Sequence, residues 1–127
     1  MTTVSNDISA SLDLIARRGD TYSRTFTVKN ADDSLYNFTG YSAKMQIKAK
    51  NDDTANILEL DSGAGGEITL STGSLIILIP AATMKNILPK NYYYDLEITY
   101  PSSQAGQAGA IKTWLSGRFT VNQDVTR

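Results

Sequence analysis

The sequence predicts an all-β sandwich of eight or nine short strands. Apolar and polar residues alternate along most of the chain, and turn residues separate the alternating runs at spacings of roughly 8 to 12 residues. The most regular run is 92–100, in which Tyr92, Tyr94, Leu96 and Ile98 are separated by Tyr93 and by polar residues. Short strands with frequent turns are typical of two packed antiparallel sheets.

The remaining strands follow from the same period. The runs that predict them are 8–14, 22–29, 35–38, 42–48, 56–60, 68–70, 75–79 and 111–121. Because 75–79 is apolar throughout, we expect a central strand covered on both faces. In 111–121 the alternation places Trp114 opposite Leu115, and Gly117 predicts a bulge or a bend.

A single helical segment is predicted, over residues 81–88. Met84, Ile87 and Leu88 have helical spacing and present one apolar face, and Pro89 ends the segment. The length of 127 residues corresponds to one domain. We expect a flexible N-terminal arm over 1–7, a sandwich domain over 8–122 and a tail over 123–127.

Composition argues against several classes of function. The chain has no cysteine and no histidine, which removes thiolate chemistry, the commonest general base and the commonest transition-metal ligand. The net charge is −1, whereas nucleic-acid-binding domains usually carry an excess of basic residues. No apolar run approaches the roughly 18 residues that span a bilayer. We therefore expect no enzymatic activity, cofactor, metal, nucleic acid or membrane partner.

Two pairs of residues are candidates for a site. Asp95 and Glu97 share one face of a strand, as the carboxylates of a glycosidase do, but a solvated strand face explains them more simply. Tyr93 and Trp114 are predicted on polar strand faces, and aromatic residues are enriched at protein interfaces and on sugar-binding surfaces. Tyr93 and Trp114 are therefore the candidate interface residues, and we predict no catalytic residues.

The order of these segments resembles a family of tailed-phage structural modules, namely the N-terminal domain of upper baseplate proteins and stand-alone modules similar to it. The segments that carry the resemblance are 18–21, 26–28, 38–47, 66–70, 88–89, 92–96, 117–121 and 124–127. Their order and spacing, rather than any one motif, make the likeness. The sequence departs from the family pattern at 90–91, where Lys and Asn stand in place of a turn glycine.

The resemblance implies an immunoglobulin-like sandwich without enzymatic activity, located in the virion and assembled in the host cytoplasm. Upper baseplate proteins continue into a long coiled or receptor-facing region, whereas this sequence ends at Arg127, so we expect an adaptor or decoration module. Its expected partners are other virion proteins of the tail, baseplate or neck, and further copies of itself in an oligomer or ring. The alternative is a module that binds carbohydrate or a host receptor.

Overall fold

The protein is a sandwich of two β-sheets. A computed structural model describes residues 2–5, 10–50, 57–63, 66–102 and 108–123. Within these residues the chain forms ten strands and one short helix, which confirms the predicted all-β sandwich. The elements are β1 (Thr2–Ser5), β2 (Ala10–Ser11), β3 (Leu14–Arg17), β4 (Tyr22–Lys29), β5 (Ser42–Lys48), β6 (Leu58–Asp61), β7 (Ile68–Ser71), β8 (Ser74–Ile79), α1 (Ala81–Met84), β9 (Lys90–Thr99) and β10 (Ile111–Asn122).

The strands divide unequally between the two sheets. One sheet has the order β1-β4-β8-β7, and the other has the order β2-β10-β9-β5-β6, with β3 also paired to β10. Most neighbours are antiparallel, as predicted. The strands before residue 18 differ, since β1 runs parallel to β4, and β2 and β3 run parallel to β10. The direction of such distant pairings is set by tertiary structure and leaves no trace in local alternation.

The first three strands of the chain are divided between the two sheets. Residues 2–5, within the predicted N-terminal arm, form β1 at the edge of the four-stranded sheet. The single strand predicted over 8–14 is instead β2 and β3, interrupted at Leu12 and Asp13, and both belong to the other sheet. Ile8 and residues 124–127 lie outside the described residues. The domain boundaries and the immunoglobulin-like topology stay predictions.

The core lies between the two sheets and follows the predicted alternation. In β9 the side chains of Tyr92, Tyr94, Leu96 and Ile98 are all buried, and the residues between them are exposed or half-buried. Tyr22 of one sheet meets Phe119 of the other edge to face, with ring centroids 5.3 Å apart. Each fully buried large apolar side chain contributes about 1.5–3 kcal/mol, so the inward faces of these strands stabilise the fold.

Two predictions about apolar segments are corrected. Strand β8 is central in its sheet, but only its inward face is covered, because Ile76 is half-buried and Leu78 is 43% exposed. Helix α1 ends at Met84 instead of continuing to residue 88. The amide of Ile87 donates to the carbonyl of Met84 in a tighter turn, so Ile87 stays buried while Leu88 is 61% exposed.

Candidate functional site

The outward face of the six-stranded sheet carries a groove beside Tyr93. The groove has a volume of about 260 Å³ and crosses β5, β9 and β10. Tyr93 is half-buried and lies on the polar face of β9, as the sequence predicted. The residues that line the groove are Gln46, Lys48, Tyr93, Tyr94, Asp95, Ser116 and Gly117.

Strand register explains how these side chains come together. Tyr93 is paired with Lys48 of β5 and with Arg118 of β10. Directly opposed residues project to the same face of a sheet, so the three side chains form one row across three strands. Among the described residues, neither Lys48 nor Arg118 has a carboxylate partner within 4.0 Å. The row therefore presents an aromatic ring between two cations.

A second row of polar side chains lies beside the first. Asp95 is paired with Gln46 and with Ser116, and the Gln46 amide donates to the Glu59 carboxylate at 3.0 Å. Because the side chain of Ser116 is small, a hollow is left beside it on β10. The two rows together offer an aromatic surface, cations, a carboxylate and a side-chain amide, which can contact either a protein surface or a polar ligand.

The carboxylate pair considered for catalysis lies on this same face. Asp95 is exposed and Glu97 is half-buried, and Glu97 is paired with Lys44 of β5. Neither carboxylate is buried. The described residues contain no group of three or more acidic side chains that would hold a metal ion. Asp95 instead belongs to the groove.

Trp114 is a core residue, which corrects its prediction as an interface residue. The register of β10 against β9 shifts between Thr113 and Leu115, three residues before the bulge or bend predicted at Gly117. Because of this shift, Trp114 and Leu115 are both buried, and Trp114 is 2% exposed. A ring this deeply buried has no surface to offer a partner.

Trp114 packs into a cluster of aromatic rings at one end of the sandwich. Its indole N–H donates to the hydroxyl of Tyr100 at 3.2 Å, and its ring lies 5.5 Å from that of Tyr36. The hydroxyls of Tyr36 and Tyr41 are 2.6 Å apart. These edge-to-face contacts add about 0.5–1.5 kcal/mol per pair to simple burial. The members of the cluster are Tyr36, Phe38, Tyr41, Tyr100 and Trp114.

Gly117 lies beneath the groove at a close crossing of backbones. Its φ is 155°, and a Cβ placed on it would lie 2.5 Å from the carbonyl oxygen of Leu12. That carbonyl accepts a hydrogen bond from the hydroxyl of Tyr94 at 2.5 Å, and the Asp13 carboxylate accepts one from the Arg118 amide at 3.0 Å. Hydrogen bonds from β9 and β10 therefore hold Leu12 and Asp13, the residues between β2 and β3, in place.

Buried tyrosines around this crossing should make the fold sensitive to alkali. Burial raises the pKa of the Tyr94 hydroxyl above its usual value of 10.0, with further contributions from Tyr22 and Asp13, and burial also raises the pKa of Tyr22. The unfolded chain releases these protons near pH 10 while the folded chain keeps them. The free energy of unfolding should therefore be unaffected below about pH 10 and fall above it, by at most about 1.4 kcal/mol per pH unit for each such tyrosine.

Urea titrations between about pH 8 and 11 measure this slope. The variant Tyr94→Phe has no proton to release, so its unfolding free energy should fall less steeply with pH than that of the wild type. Equal slopes in the two proteins would contradict the assignment to Tyr94.

The chain is similar to some proteins of known structure. No protein-family model and no curated protein matches the chain. Solved structures do match, among them the N-terminal domain of phage TP901-1 ORF48, with 13% sequence identity, 94% of each chain covered and a TM-score of 0.45. No helix among the described residues has the length and apolarity needed to cross a bilayer.

Proposed function

We propose that this chain is a structural module of a tailed-phage virion, which joins other virion proteins as an adaptor or decoration in the tail, baseplate or neck. The proposal includes assembly in several copies in the host cytoplasm, residence in the virion and no catalytic activity, cofactor, nucleic acid or membrane partner. The order of sequence segments shared with phage modules supports the virion role. The proposed partner-binding surface is the row of Lys48, Tyr93 and Arg118.

That row is the observation that carries the proposal. A half-buried tyrosine has rotamers already restricted by its neighbours, so fixing it in an interface costs little conformational entropy. The flanking cations lack carboxylate partners among the described residues and are available to acidic groups of another protein. Aromatic and arginine side chains dominate the binding energy of protein interfaces. A partner that places a carboxylate beside an apolar group would match this surface.

Replacing Tyr93 with alanine should reduce incorporation of the protein into virions by about tenfold or more, the effect of losing one interface hot spot. The free energy of unfolding should change by less than about 1 kcal/mol, because the residue lies outside the core. Quantitative immunoblotting of purified particles and urea unfolding measure the two effects.

The matched control is Thr25→Ala, a half-buried residue on β4 in the other sheet. It should leave incorporation unchanged. Absence of the wild-type protein from purified virions would refute the virion role itself, whereas normal incorporation of Tyr93→Ala would refute only this surface.

A second candidate function is binding of a carbohydrate or host receptor by the same groove. The groove combines a partly exposed aromatic ring with the amide of Gln46 and the carboxylate of Asp95, and these groups suit sugar hydroxyls. A glycan array separates the two functions. Binding that is lost in both Tyr93→Ala and Gln46→Ala, with incorporation intact, would favour the carbohydrate function, and an array without hits would remove it.

A further inference from the structure

Strand β7 leaves backbone hydrogen-bonding groups unused. It is the last strand of the four-stranded sheet, paired with β8 alone. The amide of Leu78 donates to the carbonyl of Glu67 at 2.8 Å, so Glu67 and Leu78 face each other as a hydrogen-bonded pair of the ladder. Such pairs alternate along an antiparallel ladder, so the N–H and C=O groups of Ile68 and Leu70 point away from β8. No described residue outside the ladder bonds to them.

Two adjoining hollows follow this open edge. Their volumes are about 310 and 250 Å³, and both are lined by Phe38 and Leu70. Backbone groups that face outward on alternate residues, beside apolar hollows, are the features by which sheet edges receive an added strand. The residues that line the two hollows are Asn37, Phe38, Thr39, Tyr41, Ser62, Gly66, Ile68, Thr69, Leu70, Ser71 and Thr72.

The residues along this edge are uncharged, which favours pairing with an uncharged strand. None of the residues that line the hollows carries a charge, and β7 has no lysine, proline or bulge of the kind that protects edge strands from pairing. The edge strands of the other sheet are different, because β3 contains Arg17 and β6 contains Glu59 and Asp61. Strand β1, at the opposite edge of the four-stranded sheet, is also uncharged and also four residues long.

Strand β1 already pairs at a sheet edge. In its own protomer it adds in parallel to β4, with Thr2 opposite Phe26 and Ser5 opposite Lys29, and its other edge is open among the described strands. Its sequence, Thr-Thr-Val-Ser, has high strand propensity. The two uncharged edges of one sheet are therefore opposite in position and compatible in length and charge.

We propose that residues 2–5 of a second copy pair with the open edge of β7, so that the four-stranded sheets of neighbouring copies become continuous. This inference rests on the proposed function only in assuming that several copies assemble. The contact joins two different surfaces, so each copy provides one donor and one acceptor edge. Such a head-to-tail contact generates a ring where the rotation closes and an open chain where it does not.

Disulfide trapping tests the contact, because the chain contains no cysteine of its own. Thr69→Cys labels the exposed outer face of β7. Thr3→Cys and Val4→Cys label β1 on consecutive residues, one of which must share the face of Thr69 in the continuous sheet. Purified Thr69→Cys is mixed with each β1 variant, oxidised and separated by non-reducing electrophoresis, with a tag on one component.

One of the two mixtures should give at least about tenfold more heterodimer than the same β1 variant mixed with Lys44→Cys, because strand pairing raises the effective concentration of the two thiols. Lys44 is the matched control, since it is exposed on a strand of the other sheet. The protein that carries both productive cysteines should give a ladder that continues beyond the dimer.

Heterodimer at the level of the Lys44→Cys control in both mixtures would overturn the inference. A strong homodimer of Thr69→Cys alone would also overturn it, since β7 would then pair with itself. Either result, combined with normal incorporation of the wild type into virions, would leave the proposed function standing.

Discussion

Replacing Gly117 with alanine should lower the free energy of unfolding by about 3 kcal/mol or more, a large part of the stability of a domain of this size. The new Cβ would lie 2.5 Å from the carbonyl oxygen of Leu12 and 2.9 Å from its carbonyl carbon, both backbone atoms that cannot rotate away. The φ of 155° adds a conformational cost of about 1–3 kcal/mol for any residue with a side chain. Separating the two backbones would also weaken the hydrogen bonds that Leu12 and Asp13 accept.

Urea unfolding of Gly117→Ala and Gly109→Ala separates the steric cost from the conformational one. Gly109 also has a positive φ, 67°, but apart from its own chain neighbours no described residue has an atom within 4 Å of the position that its Cβ would occupy. Gly109→Ala should therefore cost only about 1–2 kcal/mol. Equal losses in the two variants would mean that the close approach of Leu12 contributes nothing.

Replacing Trp114 with alanine should lower the free energy of unfolding by about 3–5 kcal/mol, the usual cost of removing a large buried aromatic side chain. The indole contacts the rings of Tyr36, Phe38 and Tyr100, and its removal leaves a cavity among them. The hydroxyl of Tyr100 also loses the hydrogen bond from the indole N–H. Such a loss is a large fraction of the roughly 5–15 kcal/mol by which ordinary domains are stable, so the variant should fold poorly.

Circular dichroism should follow this unfolding, because Trp114 is the only tryptophan and its fluorescence disappears with it. Trp114→Phe keeps most of the packing and should cost less than the alanine variant. If Trp114→Ala retained wild-type stability but lost partner binding, the assignment of Trp114 to the core would be wrong.

Local alternation correctly predicted the strands in which every second side chain is buried. Residues 92–100 show this most clearly, since every second side chain from Tyr92 to Tyr100 is buried. Alternation could not locate the register shift at Trp114, because the extra residue of a bulge is defined by its partner strand. It also could not show that β8 has one open face, since an apolar run has no period to interpret.

The candidate site was predicted only in part for the same reason. The position of Tyr93 on a polar strand face followed from the sequence. Its neighbours Lys48 and Arg118 lie far from it along the chain, and only the pairing of β9 with β5 and β10 brings them together. The open edge of β7 likewise depends on the order of strands in the sheet, which local patterns do not encode.

The place of β10 in the six-stranded sheet has a consequence for biosynthesis. Strand β10 lies between β9 on one side and β2 and β3 on the other, yet the ribosome makes it after all the other described strands. Until it emerges, β9 has an open edge, and β2 and β3 have no neighbour. Asp13 and Arg118, which are hydrogen-bonded across this seam, are 105 residues apart. Contacts of such separation slow folding, so the newly made chain keeps these strand edges exposed to aggregation until β10 has emerged and paired with them.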